Sequence, residues 1–287
     1  MSGGPVRKVG ILLEMIRFEH TVFALPFALA SALVAARGLP PWRIVGWILV
    51  AMVGARSAAM AFNRIADARL DALNPRTADR ALPKGLVSVG SAWAFTLVSA
   101  GLLVFAAYML NPLALALSPV ALAAVLAYSY SKRFTSLSHL WLGLCLGIAP
   151  VGAWIAVKGE IGFPSMVLSA AVILWTAGFD IIYSLQDINF DRRMGLVSLP
   201  ARIGAGRALL ISCLFHVGTV ALLVWFGALC GMGTFYYAGV AVAGVFLVYE
   251  HSIVSANDIS RVNAAFFTAN GCMSLAILAF VAADVLL

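Results

Sequence analysis

Charge is what this sequence has least of: Asp, Glu, Lys and Arg supply 11% of its 287 residues, 63% are apolar, and the mean hydropathy is +1.00. A soluble domain carries about 25% charged residues, so a water-exposed globule is excluded. Cysteine is also scarce. Cys145, Cys213, Cys230 and Cys272 each stand alone in apolar sequence, which provides neither close-spaced zinc ligands nor a disulfide framework. Each reads as a small core residue. The histidines are equally scattered: His20, His216 and His251 read as interface or packing residues, and His139 stands at a helix start near charged loops. Ten-residue segments of alternating hydrophobicity are missing, which argues against a membrane β-barrel.

What is present is a series of long apolar runs rich in Ala and Leu. A hydrocarbon layer of about 30 Å asks for about 20 such residues per helix. Nine stretches qualify, at 18–36, 42–65, 88–109, 111–130, 138–157, 163–186, 206–228, 231–253 and 261–284. Their connections are short, so the expectation is an all-α, polytopic membrane bundle of nine transmembrane helices forming a single domain over 1–287. Residues 9–18 (VGILLEMIRF) read as an amphipathic lead-in along the membrane surface. The first span resembles a signal peptide, with Ala30-Ser31-Ala32 as a cleavage-like site. Glu14 and Glu19 in its basic flank, and the eight spans that follow, favour a retained helix.

Lys and Arg accumulate on the cytoplasmic side of membrane proteins. With the N-terminus inside, 15 of the 19 basic residues fall in inner segments. Only Arg37, Arg43 and Lys158 fall outside, and Arg56 lies within the second span. The expected location is therefore the cell (inner) membrane, with the N-terminus cytoplasmic and the C-terminus on the outer side. The net charge of +7 reflects this topology and anionic lipid, with no nucleic acid implied.

The few charges are not evenly spread. NRIADARLDALNPRTADRALPK, residues 63–84, follows the second span and places Asn63, Asp67 and Asp71 at four-residue spacing, which stacks them on one helix face. At the end of the sixth span, FDIIYSLQDINFDRRMGLVSLPARIG repeats the spacing with Asp187 and Asp191. Spans two and six differ by an even number, so both clusters belong to the cytoplasmic face, and four intervening spans hint at an internal duplication. Two acidic pairs brought together repel by about 4 kcal/mol per contact at an effective dielectric near 20. Basic side chains between them satisfy this, and so does Mg²⁺, which prefers carboxylate and amide oxygens shared with substrate phosphates. Arg76, Arg80 and Lys84 follow the first cluster and Arg192, Arg193 and Arg202 the second. Carboxylate, Mg²⁺ and guanidinium together make a diphosphate clamp with a cytoplasmic polar cap. Asp180 lies inside the sixth span, where a lone charge costs about 2.5–3.5 kcal/mol. It reads either as part of the polar cavity or as an ion-pair partner of Arg56.

These residues carry a resemblance. NRIADARLD and RTADRALP resemble the first Asp-rich motif and following Arg-Thr, Arg and Leu-Pro pattern of the UbiA superfamily of intramembrane prenyltransferases, and DIIYSLQDINFD resembles its second Asp-rich motif. YSYSK resembles its Tyr-xxx-Lys element at Tyr128 and Lys132. Arg64 stands where Asp is common, Ala81 where Pro is usual, and Val197 where Lys is frequent. The resemblance implies transfer of a chain from a polyprenyl diphosphate to an aromatic hydroxy acid in ubiquinone or menaquinone biosynthesis. It implies Mg²⁺ on Asn63, Asp67, Asp71, Asp187 and Asp191. Diphosphate binding falls to Arg76, Arg80 and Lys132, with Arg193 and Arg202 as further candidates. Tyr128, Asp180 and Tyr183 then line the reaction centre or bind the acceptor. FEHTVFALPFAL and SAAMAFNRIAD resemble quinone-pathway members acting on 4-hydroxybenzoate, with a dihydroxynaphthoate as the alternative acceptor. A multi-pass transporter, the reading from a different class, is disfavoured because the acids sit at one surface rather than at midplane.

Overall fold

The computed structural model describes residues 21–287; the expected lead-in at 9–18 and His20 lie outside the described residues. Among those described there is no β-strand. The long helices are α1 (Thr21–Ala36), α2 (Trp42–Ala66), α4 (Val89–Leu110), α5 (Pro112–Ser131), α6 (Ser138–Lys158), α7 (Phe163–Ser184), α10 (Ala205–Cys230), α11 (Thr234–Ser252) and α12 (Asn270–Leu286). Short helices α3 (Ala68–Leu73), α8 (Ile188–Met194) and α9 (Leu199–Ile203) follow α2 and α7 at the charged motifs.

Among the described residues, seven helical segments are long and apolar enough to cross a membrane: Trp42–Leu73, Val89–Leu110, Pro112–Ser131, Ser138–Lys158, Phe163–Met194, Ala205–Cys230 and Ala264–Leu286. The other two expected spans are helical but fall outside this set. Phe23–Ala36 is shorter, and α11 has Glu250 and His251 near its end. The outward faces carry Leu97, Val98, Val120, Leu210, Val245 and Val248, all exposed. Exposed aliphatic side chains along helix after helix are what lipid contact requires.

Helix α7 is central, packed between α6 and α10, and α1 closes the ring against α6 and α12. Its near-continuous apolar sequence follows from being covered on all sides, with Trp175, Phe179, Ile181 and Ile182 fully enclosed. Small residues permit the close crossings. A Cβ at Gly54 in α2 would lie 2.7 Å from the Leu103 nitrogen of α4, and one at Gly143 in α6 would strike the Ile173 carbonyl of α7.

The polar residues of the core follow a separate logic. Trp175 Nε1 donates to Asn270 Oδ1 at 2.6 Å, and Asn270 Nδ2 donates to Glu250 Oε1 at 3.0 Å. His216 Nδ1 lies 3.0 Å from His251 Nε2. The packing role read for His216 and His251 matches this placement. A π-helical turn at Ala264–Ala269 precedes α12 and sets Asn270 against these partners.

Candidate active site

Each acidic motif occupies a junction where a long helix gives way to a short one. Helix α2 stops at Ala66, Asp67 takes φ −99° and ψ 6°, and α3 begins at Ala68. Helix α7 stops at Ser184, a 3₁₀ turn covers Leu185–Asp187, Asp187 takes φ −100° and ψ 1°, and α8 begins at Ile188. The hydrogen bonds from Asp67 N to Asn63 O (2.9 Å) and from Asp71 N to Asp67 O (2.8 Å) keep the four-residue spacing across the break.

After α8 the chain reverses at Gly195, whose φ of 68° is a left-handed conformation that suits glycine. Leu196 N bonds Asp191 O at 2.9 Å, closing the helix end. This return brings Val197 N within 2.8 Å of Lys132 O, at the end of α5. The Tyr128–Lys132 element is thereby fastened beside the second acidic motif.

A cavity of about 190 Å³ lies between these junctions. Asn63, Asp67, Asp71, Arg76, Arg80, Tyr128, Lys132, Asp180, Tyr183, Asp187 and Asp191 all line it. Arg193 and Arg202 do not. Both are exposed, and Arg193 Nε is turned back to Asn189 O at 3.2 Å, so the structure does not bring these two expected diphosphate ligands to the cavity.

Cations hold the carboxylates apart. Arg80 Nη1 sits 2.6 and 2.7 Å from the two oxygens of Asp71. Arg76 crosses to the other motif, with Nη2 2.6 Å from Asp187 Oδ2 and Nε 3.1 Å from Oδ1. Burial works against the Arg76 charge, yet Asp187, with Tyr183 and Asp71 beside it, outweighs burial and holds the guanidinium above its ordinary value. Arg133 Nη2 reaches Asp67 Oδ1 at 3.1 Å and Ala66 O at 2.6 Å. Lys132 is partly buried, which disfavours its charge, but Asp180, Asp191, Asp187 and Asp67 surround it and raise its pKa above the usual lysine value.

Asp180 is paired with His139 of α6, Nδ1 to Oδ2 at 2.6 Å, rather than with Arg56. Three residues of this site went unassigned in the sequence. Asn74 donates to Asp187 Oδ1 at 3.4 Å, Arg133 clamps Asp67, and His139 meets Asp180. Adjacency to Lys132 was the available signal for Arg133, and position near the charged loops was the signal for His139.

The donor set suits Mg²⁺. Five carboxylates, those of Asp67, Asp71, Asp180, Asp187 and Asp191, and the Asn63 amide face one cavity, and the buried Asp191 Oδ2 has no hydrogen-bond partner. Among the described residues no three His, Cys, Asp or Glu side chains form a ready-made cage.

A family model for the UbiA prenyltransferase family matches residues 24–272. The chain belongs to that family. It is therefore an integral membrane prenyltransferase. Among curated relatives, the 4-hydroxybenzoate octaprenyltransferase of Vibrio atlanticus is 32% identical over 249 residues, covering 86% of this chain and 87% of its own. That of Thiobacillus denitrificans is 33% identical over 228 residues, covering 78% and 76%. Among solved structures, a UbiA homologue from Aeropyrum pernix in its apo form superposes with a TM-score of 0.85 at 36% identity, covering 94% of this chain and 99% of its own. A UbiA homologue from Archaeoglobus fulgidus bound to GPP and Mg²⁺ shares the fold, with a TM-score of 0.75 at 18% identity over 96% and 99%.

Proposed function

We propose that this prenyltransferase moves a polyprenyl group from an allylic diphosphate to 4-hydroxybenzoate, in quinone biosynthesis. The observation that carries the reading is the single cavity on which both acidic pairs, Arg76, Arg80 and Lys132 converge. Relatives named 4-hydroxybenzoate octaprenyltransferase support the acceptor. The basic-residue count supports a cytoplasmic orientation for the cavity, in the cell membrane.

In this reading Asn63, Asp67, Asp71, Asp187 and Asp191 would hold Mg²⁺, and the Archaeoglobus homologue of the same fold, bound to GPP and Mg²⁺, supports the use of that ion with a prenyl diphosphate. Bound there, the ion neutralises the charge of the diphosphate. Arg76, Arg80 and Lys132 bind the phosphate oxygens, the two arginines exchanging carboxylate partners for phosphate ones in the same fork geometry. As the bond from C1 to the bridging oxygen breaks, its electron pair leaves with the diphosphate, where these cations stabilise it. A ring carbon beside the acceptor hydroxyl gives an electron pair to C1. The proton on that carbon then departs, and the C–H electrons restore the aromatic ring. Tyr128, Asp180 and Tyr183 form the reaction end of the cavity and keep water from the developing cation.

The test is product analysis with purified protein, a radiolabelled prenyl diphosphate, and 4-hydroxybenzoate or 1,4-dihydroxy-2-naphthoate as acceptor. Labelled prenyl-4-hydroxybenzoate is expected. Prenylation of the naphthoate alone would overturn the acceptor assignment while leaving the prenyltransferase in place.

A further inference from the structure

His139 is an unusual residue to find beside this cavity. It is 1% exposed, it comes from α6, and its Nδ1 lies 2.6 Å from Asp180 Oδ2 of α7. A carboxylate only accepts hydrogen bonds, so Nδ1 is the donor when Asp180 is ionised. The other ring nitrogen, Nε2, is buried and has no hydrogen-bond partner. A histidine recruited only to join two helices would be expected to satisfy both nitrogens. This one incurs a desolvation cost for a single bond, and that bond fixes a carboxylate oxygen of Asp180, which lines the cavity.

The surroundings of Asp180 limit what it can be doing. Tyr128 and Lys132 approach from α5, His139 from α6, and Tyr183 and Ser184 follow it on α7 into the same cavity. Three of the cavity arginines are committed elsewhere: Arg76 to Asp187, Arg80 to Asp71, Arg133 to Asp67. Among the described residues no hydrogen bond goes to Asp180 Oδ1. Asp180 thus offers one oxygen anchored by His139 and one that accepts no hydrogen bond from the described residues, with the Lys132 charge close by.

We infer that His139 is a positioning residue that holds the Asp180 carboxylate in place to take the proton released by the aromatic acceptor. In that step the proton on the newly substituted ring carbon passes to Asp180 Oδ1, and its bonding electrons return to the ring. Nδ1–H of His139 stabilises the carboxylate before transfer and fixes its rotamer, so that Oδ1 points to the acceptor. The inference deepens the acceptor prenylation proposed above and rests on it.

The experiment measures kcat and KM, for prenyl diphosphate and for 4-hydroxybenzoate separately, in wild type, His139→Ala, His139→Asn, Asp180→Asn and the His139→Ala/Asp180→Asn double variant. The Asn side chain keeps an amide donor near the Nδ1 position. Removing a group that orients another commonly costs about 10- to 100-fold. The expected result is a kcat loss of that size in His139→Ala, with KM for prenyl diphosphate within about twofold of wild type. His139→Asn should recover most of it. The double variant should be no slower than Asp180→Asn within about threefold, because His139 acts only through Asp180.

Wild-type kcat in His139→Ala overturns the inference, as does an equal loss in the Ala and Asn variants or multiplicative losses in the double variant. If His139→Ala does not fold, the inference stands or falls on whether His139→Asn retains most of the wild-type kcat. A wild-type protein that prenylates no 4-hydroxybenzoate refutes the proposed acceptor, and that result is read before any variant is compared.

Discussion

Asp67 and Asp187 share one backbone conformation, φ −99° and ψ 6° in the first and φ −100° and ψ 1° in the second. Each ends a long helical stretch and opens a short helix whose fourth residue is another aspartate, Asp71 or Asp191. The bridge region they occupy is sparsely populated and is frequent among active-site residues. Two junctions of the same form, four spans apart, give the repeated Asp spacing a structural counterpart. Arg76, which follows the first junction, pairs with the aspartate of the second at 2.6 Å. The two motifs thereby meet at one cavity.

Arg193→Ala and Arg202→Ala should retain turnover within about twofold of wild type. Both side chains are exposed and away from the cavity, and exposed charges contribute little. A steady-state assay checks this; a tenfold rise in KM for prenyl diphosphate in either would return that arginine to the site.

Lys132→Ala should weaken diphosphate binding, raising KM for the prenyl diphosphate by about tenfold, a smaller loss than removal of a carboxylate ligand. Because the folded protein raises the Lys132 pKa, its charge contributes fully below the ordinary lysine value and is lost only as pH rises through the raised one. Activity between about pH 7 and pH 9 should therefore show no alkaline limb that Lys132→Arg removes.

Asn270→Leu should destabilise the bundle without touching the cavity. It strips Trp175 Nε1 and Glu250 Oε1 of their partner, both buried, at a cost of about 1–3 kcal/mol. A lowered Tm in detergent, with turnover per folded molecule near wild type, is the expected outcome. An unchanged Tm would show that the network contributes little.

How much of this was readable in the sequence depended on distance along the chain. Helical character followed from long apolar runs, and the acidic faces followed from spacing within one turn. Asp67 and Asp187 departing from helical backbone did not, because no Gly or Pro marks either position. The partners of the carboxylates were harder still. Arg133 reads as an ordinary basic residue after a span and His139 as a helix start, and each gains its role only when α5 and α6 are packed beside α2 and α7. Arg193 and Arg202 show the reverse case, since nearness in sequence to an acidic motif does not bring them to the lining of its cavity.

The central claim is that both acidic motifs serve one metal-dependent diphosphate site. The most direct measurement is turnover of a radiolabelled prenyl diphosphate with 4-hydroxybenzoate by purified wild type, Asp67→Ala and Asp191→Ala. Each is assayed with Mg²⁺, after EDTA, and after Mg²⁺ is restored. The account predicts that EDTA abolishes wild-type turnover, that Mg²⁺ restores it, and that both variants remain folded and inactive throughout. Turnover that survives EDTA, or either variant working near the wild-type rate, would contradict it.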